Sequence, residues 1–265
     1  MTSNIHPTAI VEDGAVIGPD CTIGPYSLVG PEVTLAANVE LKSHAVVTGW
    51  TAIGTGSVVF PFASVGHIPQ DLKYAGERTK LEIGANNRIR EGASLSPGTA
   101  GGGGLTKVGD NNLFMMQTHV GHDCMIGNGN VLANYVGIAG HAIIGNNVIL
   151  GAHSGVHQFC RIGDGAMLAA FSAVVEDIIP FGMVHGNRAK LEALNLIGLK
   201  RRGYAKDDIN NLRAAFRDVF YSDEATLQER ATMAVNAYPQ SGLVAQMVAF
   251  IQSDTSRHIC TPKRD

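Results

Sequence analysis

An aliphatic residue falls at every sixth position through most of this 265-residue chain. The series runs Ile17, Ile23, Val29, Leu35, Leu41, Val47, Ile53, Val59, Val65, and resumes at Ile83, Ile89, Leu95. It then continues unbroken from Val108 through Phe114, Val120, Ile126, Leu132, Ile138, Ile144, Leu150, Val156, Ile162 and Leu168 to Val174. Small residues such as Ser27, Ala45, Ser57 and Ala63 sit four positions after an aliphatic one. Neither the helical period of 3.6 nor the strand period of 2.0 produces a six. A unit with one large inward side chain, one small inward side chain and a turn is a short flat strand followed by a corner. Three units close a triangular coil of 18 residues. Stacked coils then pair strand over strand at about 4.8 Å and bury a column that no single repeat could bury alone.

The pattern resembles the left-handed β-helix built from hexapeptide repeats. The hand comes from that resemblance alone, because parallel crossovers are normally right-handed. Two segments interrupt the period: "HIPQDLKYAGERTK" (67–80) replaces two hexads, and "AGGGGLTK" (100–107) adds about seven residues. Both must bulge from corners, and loops on a rigid scaffold are where function tends to sit. Beyond Pro180 a helical stripe appears in Ile209, Leu212, Phe216, Val219 and Phe220. Thr226 with Glu229 reads as a capping box, and Tyr238-Pro239 ends that helix. The expectation is a mainly β chain: a β-helix over 1–188, then a small α-helical domain over 189–265 that caps the open end of the prism and hides its strand edges.

Composition narrows the function. A net charge of −3 gives no drive toward nucleic acid. The four cysteines (Cys21, Cys124, Cys160, Cys260) lie far apart without a CxxC pair, so no disulfide framework or zinc knuckle is indicated and a cytoplasmic location fits. The start carries no secretory pattern. Residues 125–160 hold no Asp, Glu, Lys or Arg, yet Gly, Asn and His recur there, which a bilayer span does not tolerate; the protein is not expected to be integral to a membrane.

Within "THVGHDCMIG" (118–127), Val120 stacks on Ile138 and Val156 in an 18-residue coil, and His122, His141 and His157 lie two to four positions from those residues or nearer. The spacing predicts a column of three histidines, with His119 at the adjoining corner. Imidazoles on a face almost free of fixed charge suit a neutral general base, with Asp123 the nearby carboxylate able to orient a ring. Zinc is the competing reading, since three histidines on a hexapeptide prism also resemble γ-class carbonic anhydrase. The spacings of 19 and 16 do not reproduce that family's ligand pattern.

"HVGHDC", "LANYVGIAGH", "VHQFCRIG", "PQDLKYAGE" and "NLIGLKRRGY" together resemble the family of O-acyltransferases that act on UDP-N-acetylglucosamine with acyl carrier protein as donor, at the first step of lipid A biosynthesis. The resemblance spans nearly the whole chain. It implies transfer of a 3-hydroxyacyl chain to the glucosamine 3-hydroxyl, with His122 as base, Asp123 holding its ring and the Gly140 N–H receiving the oxyanion. It implies Asp71, Lys73, His119, His141, Gln158 and Asn195 around the sugar and phosphates, His157 at the sugar or acyl groove, and Arg201 and Arg202 at the nucleotide. Ala169 and Ala170 fall where the family measures acyl length, Ala170 at a position that is glycine in some members. Ile197 stands where a polar residue is expected. The resemblance also implies a homotrimer and calls for no metal or cofactor. "AGGGG" reads as a flexible loop, and Cys124 as a small apolar filler rather than a nucleophile. A related hexapeptide N-acyltransferase and a non-catalytic solenoid are the alternatives.

Overall fold

The structure, a computed structural model, describes residues 3–263. Two-residue strands recur at six-residue intervals and stack into three parallel sheets, the faces of a triangular prism. The 18-residue step is explicit in the registers: Ile5 pairs with Ile23, Leu28 with Val46, Val120 with Ile138 and Ile138 with Val156. Ile23, Val29, Leu35, Leu41, Leu132, Ile138, Ile144 and Leu150 are all buried in one continuous core. Phe114, the one aromatic residue of the series, is buried there too.

Corners recur in the left-handed backbone region: Asp123 has φ 58°, His141 62°, His153 57° and Phe159 65°. Aspartate adopts this region more readily than most residues, and the remaining corners rely on pairing above and below to hold them. The small inward position is not always apolar. Asn87, Asn112 and Asn130 are buried and form a ladder along the axis. Asn112 N–H donates to Asn87 Oδ1 (2.9 Å), Asn130 N–H to Asn112 Oδ1 (2.8 Å) and Val148 N–H to Asn130 Oδ1 (2.7 Å).

The insertions appear as breaks in register. Ile53, Val59 and Val65 pair with Ile83, Ile89 and Leu95, a step of 30. Those residues pair in turn with Val108, Phe114 and Val120, a step of 25. Pairing resumes at 18 afterwards, so both loops are expelled without disturbing the core.

The end of the prism is closed differently from the sequence expectation. An antiparallel hairpin, Gly182–His185 with Lys190–Leu194, continues one sheet from Met167–Leu168. Its turn accepts from Ala173 N–H and donates from Ala189 N–H to Ala173. The hairpin therefore covers strand edges assigned above to helices, and its turn spans the expected 188/189 division. Four helices follow: α1 (Leu196–Arg201), α2 (Lys206–Tyr221), α3 (Leu227–Ala237) and α4 (Gly242–Gln252). The expected stripe is buried on α2, and the Thr226–Glu229 capping box starts α3. Helix α4 reaches the side of the last coils, where Gln246 bonds Asp164 and the Arg161 guanidinium lies over Phe250.

Asn112→Val removes the acceptor of a buried N–H on Asn130 and is expected to cost about 1–3 kcal/mol. A fall in the denaturant midpoint checks this, and an unchanged midpoint would show that the ladder carries no stability.

Candidate active site

The His122 edge joins the sheet containing His119–Val120 to the sheet containing Met125–Ile126. Asp123 stacks on His141 and Phe159 at the 18-residue step, and His122 stacks on Gly140 and Gln158. The Asp123 side chain is 1% exposed. Its Oδ1 accepts from Thr99 N–H (2.8 Å), and its Oδ2 accepts from the Thr99 hydroxyl (2.7 Å) and from His122 Nδ1–H (2.7 Å). Its own N–H donates to Thr106 Oγ1 (2.7 Å). A carboxylate only accepts, so His122 carries its proton on Nδ1 and leaves a lone pair on Nε2.

Gly140 lies directly against that ring. A methyl group at position 140 would come within 2.6 Å of His122 Cε1 and 2.7 Å of Nε2. On either side, Ala139 N–H donates to Val156 O and His141 N–H to His122 O, while the Gly140 N–H bonds to no group among the described residues. A free donor thus sits beside a basic nitrogen. His141 stacks on Phe159 (centroids 4.5 Å apart) and meets His122 edge-on (5.0 Å), with its Nε2 3.9 Å from Asp123 Oδ2. His119 lies in the strand before the corner, and its Nδ1 lies 2.8 Å from the Ser94 hydroxyl. Burial, and then the neighbouring His122, pull His119 below the usual histidine range.

The glycine-rich insertion does something the sequence did not disclose. It is an ordered seat for Asp123, with a 3₁₀ turn at Ala100–Gly102. A Cβ on Gly102 would lie 2.1 Å from Asp123 Cγ, and one on Gly98 2.8 Å from Asp123 Oδ1. Thr99, Thr106, Gly98 and Gly102 are therefore site residues missed above. Their signal was present: with a register step of 25, Gly98 stands directly above Asp123. The first insertion braces the second. Glu77 accepts from Ala75 N–H (2.8 Å) and Ala100 N–H (3.2 Å), and backbone donors hold its carboxyl below the ordinary range. Arg78 packs on Trp50, 3.2 Å from the ring centroid.

Other expected residues lie elsewhere. His157 falls one position short of the Gln158 column and meets Arg257 rather than His141, so the predicted three-histidine column is a His122–His141 pair. Asp71 accepts from Lys73 N–H within the first insertion. Asn195 is 6% exposed and caps α1, accepting from Gly198 N–H and donating to Gly165 O. Arg202 donates to Asn147 O, whereas Arg201 and Ile197 are exposed. Asn195 and Arg202 thus belong to a second prism edge, and Ala169 and Ala170 to the third. His122, Asp123 and His141 form a possible metal-ligand group within 4.8 Å, but His122 Nδ1 and Asp123 are already engaged with each other. Burial pushes the Cys124 thiol up to about 12, which removes it as a nucleophile near neutrality.

The His122–Asp123 pair faces a free glycine N–H at the corner of a hexapeptide prism, and likeness to known proteins gives the class, a hexapeptide-repeat acyltransferase. Bacterial transferase hexapeptide repeats match residues 14–49, 105–140 and 141–175, and the second domain of UDP N-acetylglucosamine O-acyltransferase matches 177–260. The acyl-[acyl-carrier-protein]–UDP-N-acetylglucosamine O-acyltransferase of Caulobacter vibrioides is 55% identical over 99% of both chains. That of Rickettsia felis is 53% identical over 97% of both. A crystal structure of UDP-N-acetylglucosamine acyltransferase aligns with a TM-score of 0.94 at 37% identity, covering 99% of this chain and 100% of the other. The enzyme from Acinetobacter baumannii aligns at 0.90 and 42%, covering 97% and 99%. The β-helix is left-handed, as in these structures. The chain belongs to the acyl-[acyl-carrier-protein]–UDP-N-acetylglucosamine O-acyltransferase family.

Gly140→Ala forces the His122 ring to move while leaving the core untouched. Acyl-transfer turnover is expected to fall about 10²-fold or more with little change in melting midpoint; retained turnover would contradict the packing of His122 on Gly140. Thr99→Val keeps the shape of the seat and removes one hydroxyl donor to Asp123. Turnover is expected to drop about tenfold, as for a lost hydrogen bond to a charged group, with KM values nearly constant.

Proposed function

We propose that the protein transfers a 3-hydroxyacyl chain from the thioester of acyl carrier protein to the 3-hydroxyl of UDP-N-acetylglucosamine, the first step of lipid A biosynthesis. The carrying observation is the His122–Asp123 bond with Nε2 left basic beside a free Gly140 N–H. Nε2 takes the proton of the sugar hydroxyl as its oxygen attacks the thioester carbonyl. Asp123 stabilises the imidazolium that forms, and the Gly140 N–H receives the developing oxyanion. Collapse expels the carrier thiol, which takes the proton back from Nε2. The acyl group passes directly between substrates, since Cys124 is unsuited to hold it.

His119, His141 and Gln158 line the acceptor side of this edge, and His157 completes it one position from Gln158. Asp71 and Lys73 approach from the first insertion, which Glu77 ties to the Asp123 seat. Arg201 and Arg202 hold the nucleotide phosphates, with Asn195 shaping α1 beneath them. Ala169 and Ala170 limit acyl length. Between their edge and the His122 edge the sheet is flattened by Gly137, Gly155 and Ala173, with open space where the glycines lack side chains.

Within one chain the base, the nucleotide group and the acyl-length group occupy three different edges of the prism. A homotrimer, with sites between subunits, lets these edges meet, because a threefold axis sets one copy's edge against another's face. Lys200, Lys206, Arg213 and Arg217 line adjoining clefts in the helical unit and offer a cationic dock for an acidic carrier protein; Lys190 is paired with Glu176. No helix among the described residues is long and apolar enough to cross a membrane. Free buried thiols and these substrates support a cytoplasmic reaction.

The assay pairs UDP-N-acetylglucosamine or its 3-amino analogue with 3-hydroxyacyl carrier proteins of graded length, before and after chelation. Ester product that survives chelation is expected, with the accepted length shifted upward in Ala170→Gly. Product only on the amine would make the protein an N-acyltransferase, and loss on chelation would install a metal.

A further inference from the structure

We propose that Arg257, in the C-terminal strap, is a positioning residue that sets the tautomer of His157 opposite to that of His122. The proposal rests on the reading of His157 as an acceptor-side residue. The strap is fixed on both sides of Arg257. Thr255 Oγ1 donates to the buried carboxylate of Asp177 (2.6 Å), which also accepts from Arg161 N–H and Nε–H. Asp177 N–H donates to His258 O, Cys260 N–H donates to Asp177 O, and Asp177 and Ile259 form a parallel bridge. A segment nearly 100 residues further along the chain is thus stitched to the coil that follows His157 and Gln158.

From this anchored position Arg257 Nη2 reaches Gln158 O (3.0 Å) and His157 Nδ1 (3.0 Å). Nδ1 also lies 3.3 Å from Gln158 O, but the guanidinium, which has donors and no acceptor, makes the shorter, charge-assisted contact, so Nδ1 presents its lone pair to Arg257 and the ring proton sits on Nε2. The result mirrors His122, where a carboxylate places the proton on Nδ1 and leaves Nε2 basic. Two histidines near one edge are held in opposite states: one accepts a proton and the other donates a hydrogen bond. Gln158 stacks in register on Gly140, so His157 lies one coil beyond the oxyanion donor. A donor here fits an oxygen-rich acceptor such as the sugar nucleotide and does not suit the hydrocarbon part of the acyl chain. The same guanidinium pins the Gln158 carbonyl and fixes the backbone under that side chain.

Long-range ¹H–¹⁵N spectra of histidine-labelled protein are expected to show His157 as the Nε2–H tautomer and to show mixed tautomers in Arg257→Ala. In the same variant, KM for UDP-N-acetylglucosamine is expected to rise about tenfold while kcat stays within about threefold, as for a lost charge-assisted hydrogen bond. Added guanidinium ion is expected to restore part of the KM. Thr255→Val loosens the strap but keeps the guanidinium, and separates general strap damage from the role of Arg257. If His157→Ala leaves KM unchanged, the acceptor-side reading of His157 fails. If His157→Ala raises KM while Arg257→Ala changes neither tautomer nor KM, the positioning role is overturned.

Discussion

Strand-over-strand pairing, at an 18-residue step that lengthens across the two insertions, converts position along the chain into position on the prism. Each residue is stacked on the one a coil earlier, and the three sheets fix which edge it faces. The aliphatic column supplies the driving force, since each short strand is buried only through its neighbours. That rigidity lets corner residues such as Asp123 and His141 stay in the left-handed backbone region and still point their side chains with precision.

Chemistry enters where the step changes. The register advance of 25 expels a glycine-rich turn that folds back over Asp123. Burying a carboxylate is costly without donors. Here Thr99 supplies two and His122 a third, so the group stays buried and aims the imidazole at the same time. Glycines at 98 and 102 make the approach possible, and Glu77 carries the brace outward to the loop bearing Asp71 and Lys73. His122, Asp123 and the two loops that support them form one connected unit.

The hexad period made the three-sheet prism legible, because one aliphatic per six residues leaves few ways to bury it. The His122–Asp123 pair was legible for the same reason, standing in a stretch with hardly any other charge. The role of Thr99 was not, since the change of step hid its contact 24 positions away. His157 was misplaced because a residue near a column in sequence can still turn toward another element, here the strap with Arg257. The expected helical cap gave way to a hairpin, whose strands satisfy edge hydrogen bonds that helices cannot. Asn195 drew attention through its motif, but its amide is engaged at the start of α1, a capping role that pattern alone did not separate from ligand binding.

The central claim is that His122 Nε2 removes the proton of the acceptor hydroxyl. Single-turnover acyl transfer by His122→Ala, at saturating concentrations of both substrates, tests it most directly. The account predicts a loss of about 10² to 10⁴-fold, the usual range for base catalysis, with an unchanged melting midpoint. A rate within a few-fold of the parent protein, at equal stability, would contradict it and move the base to another residue of the edge.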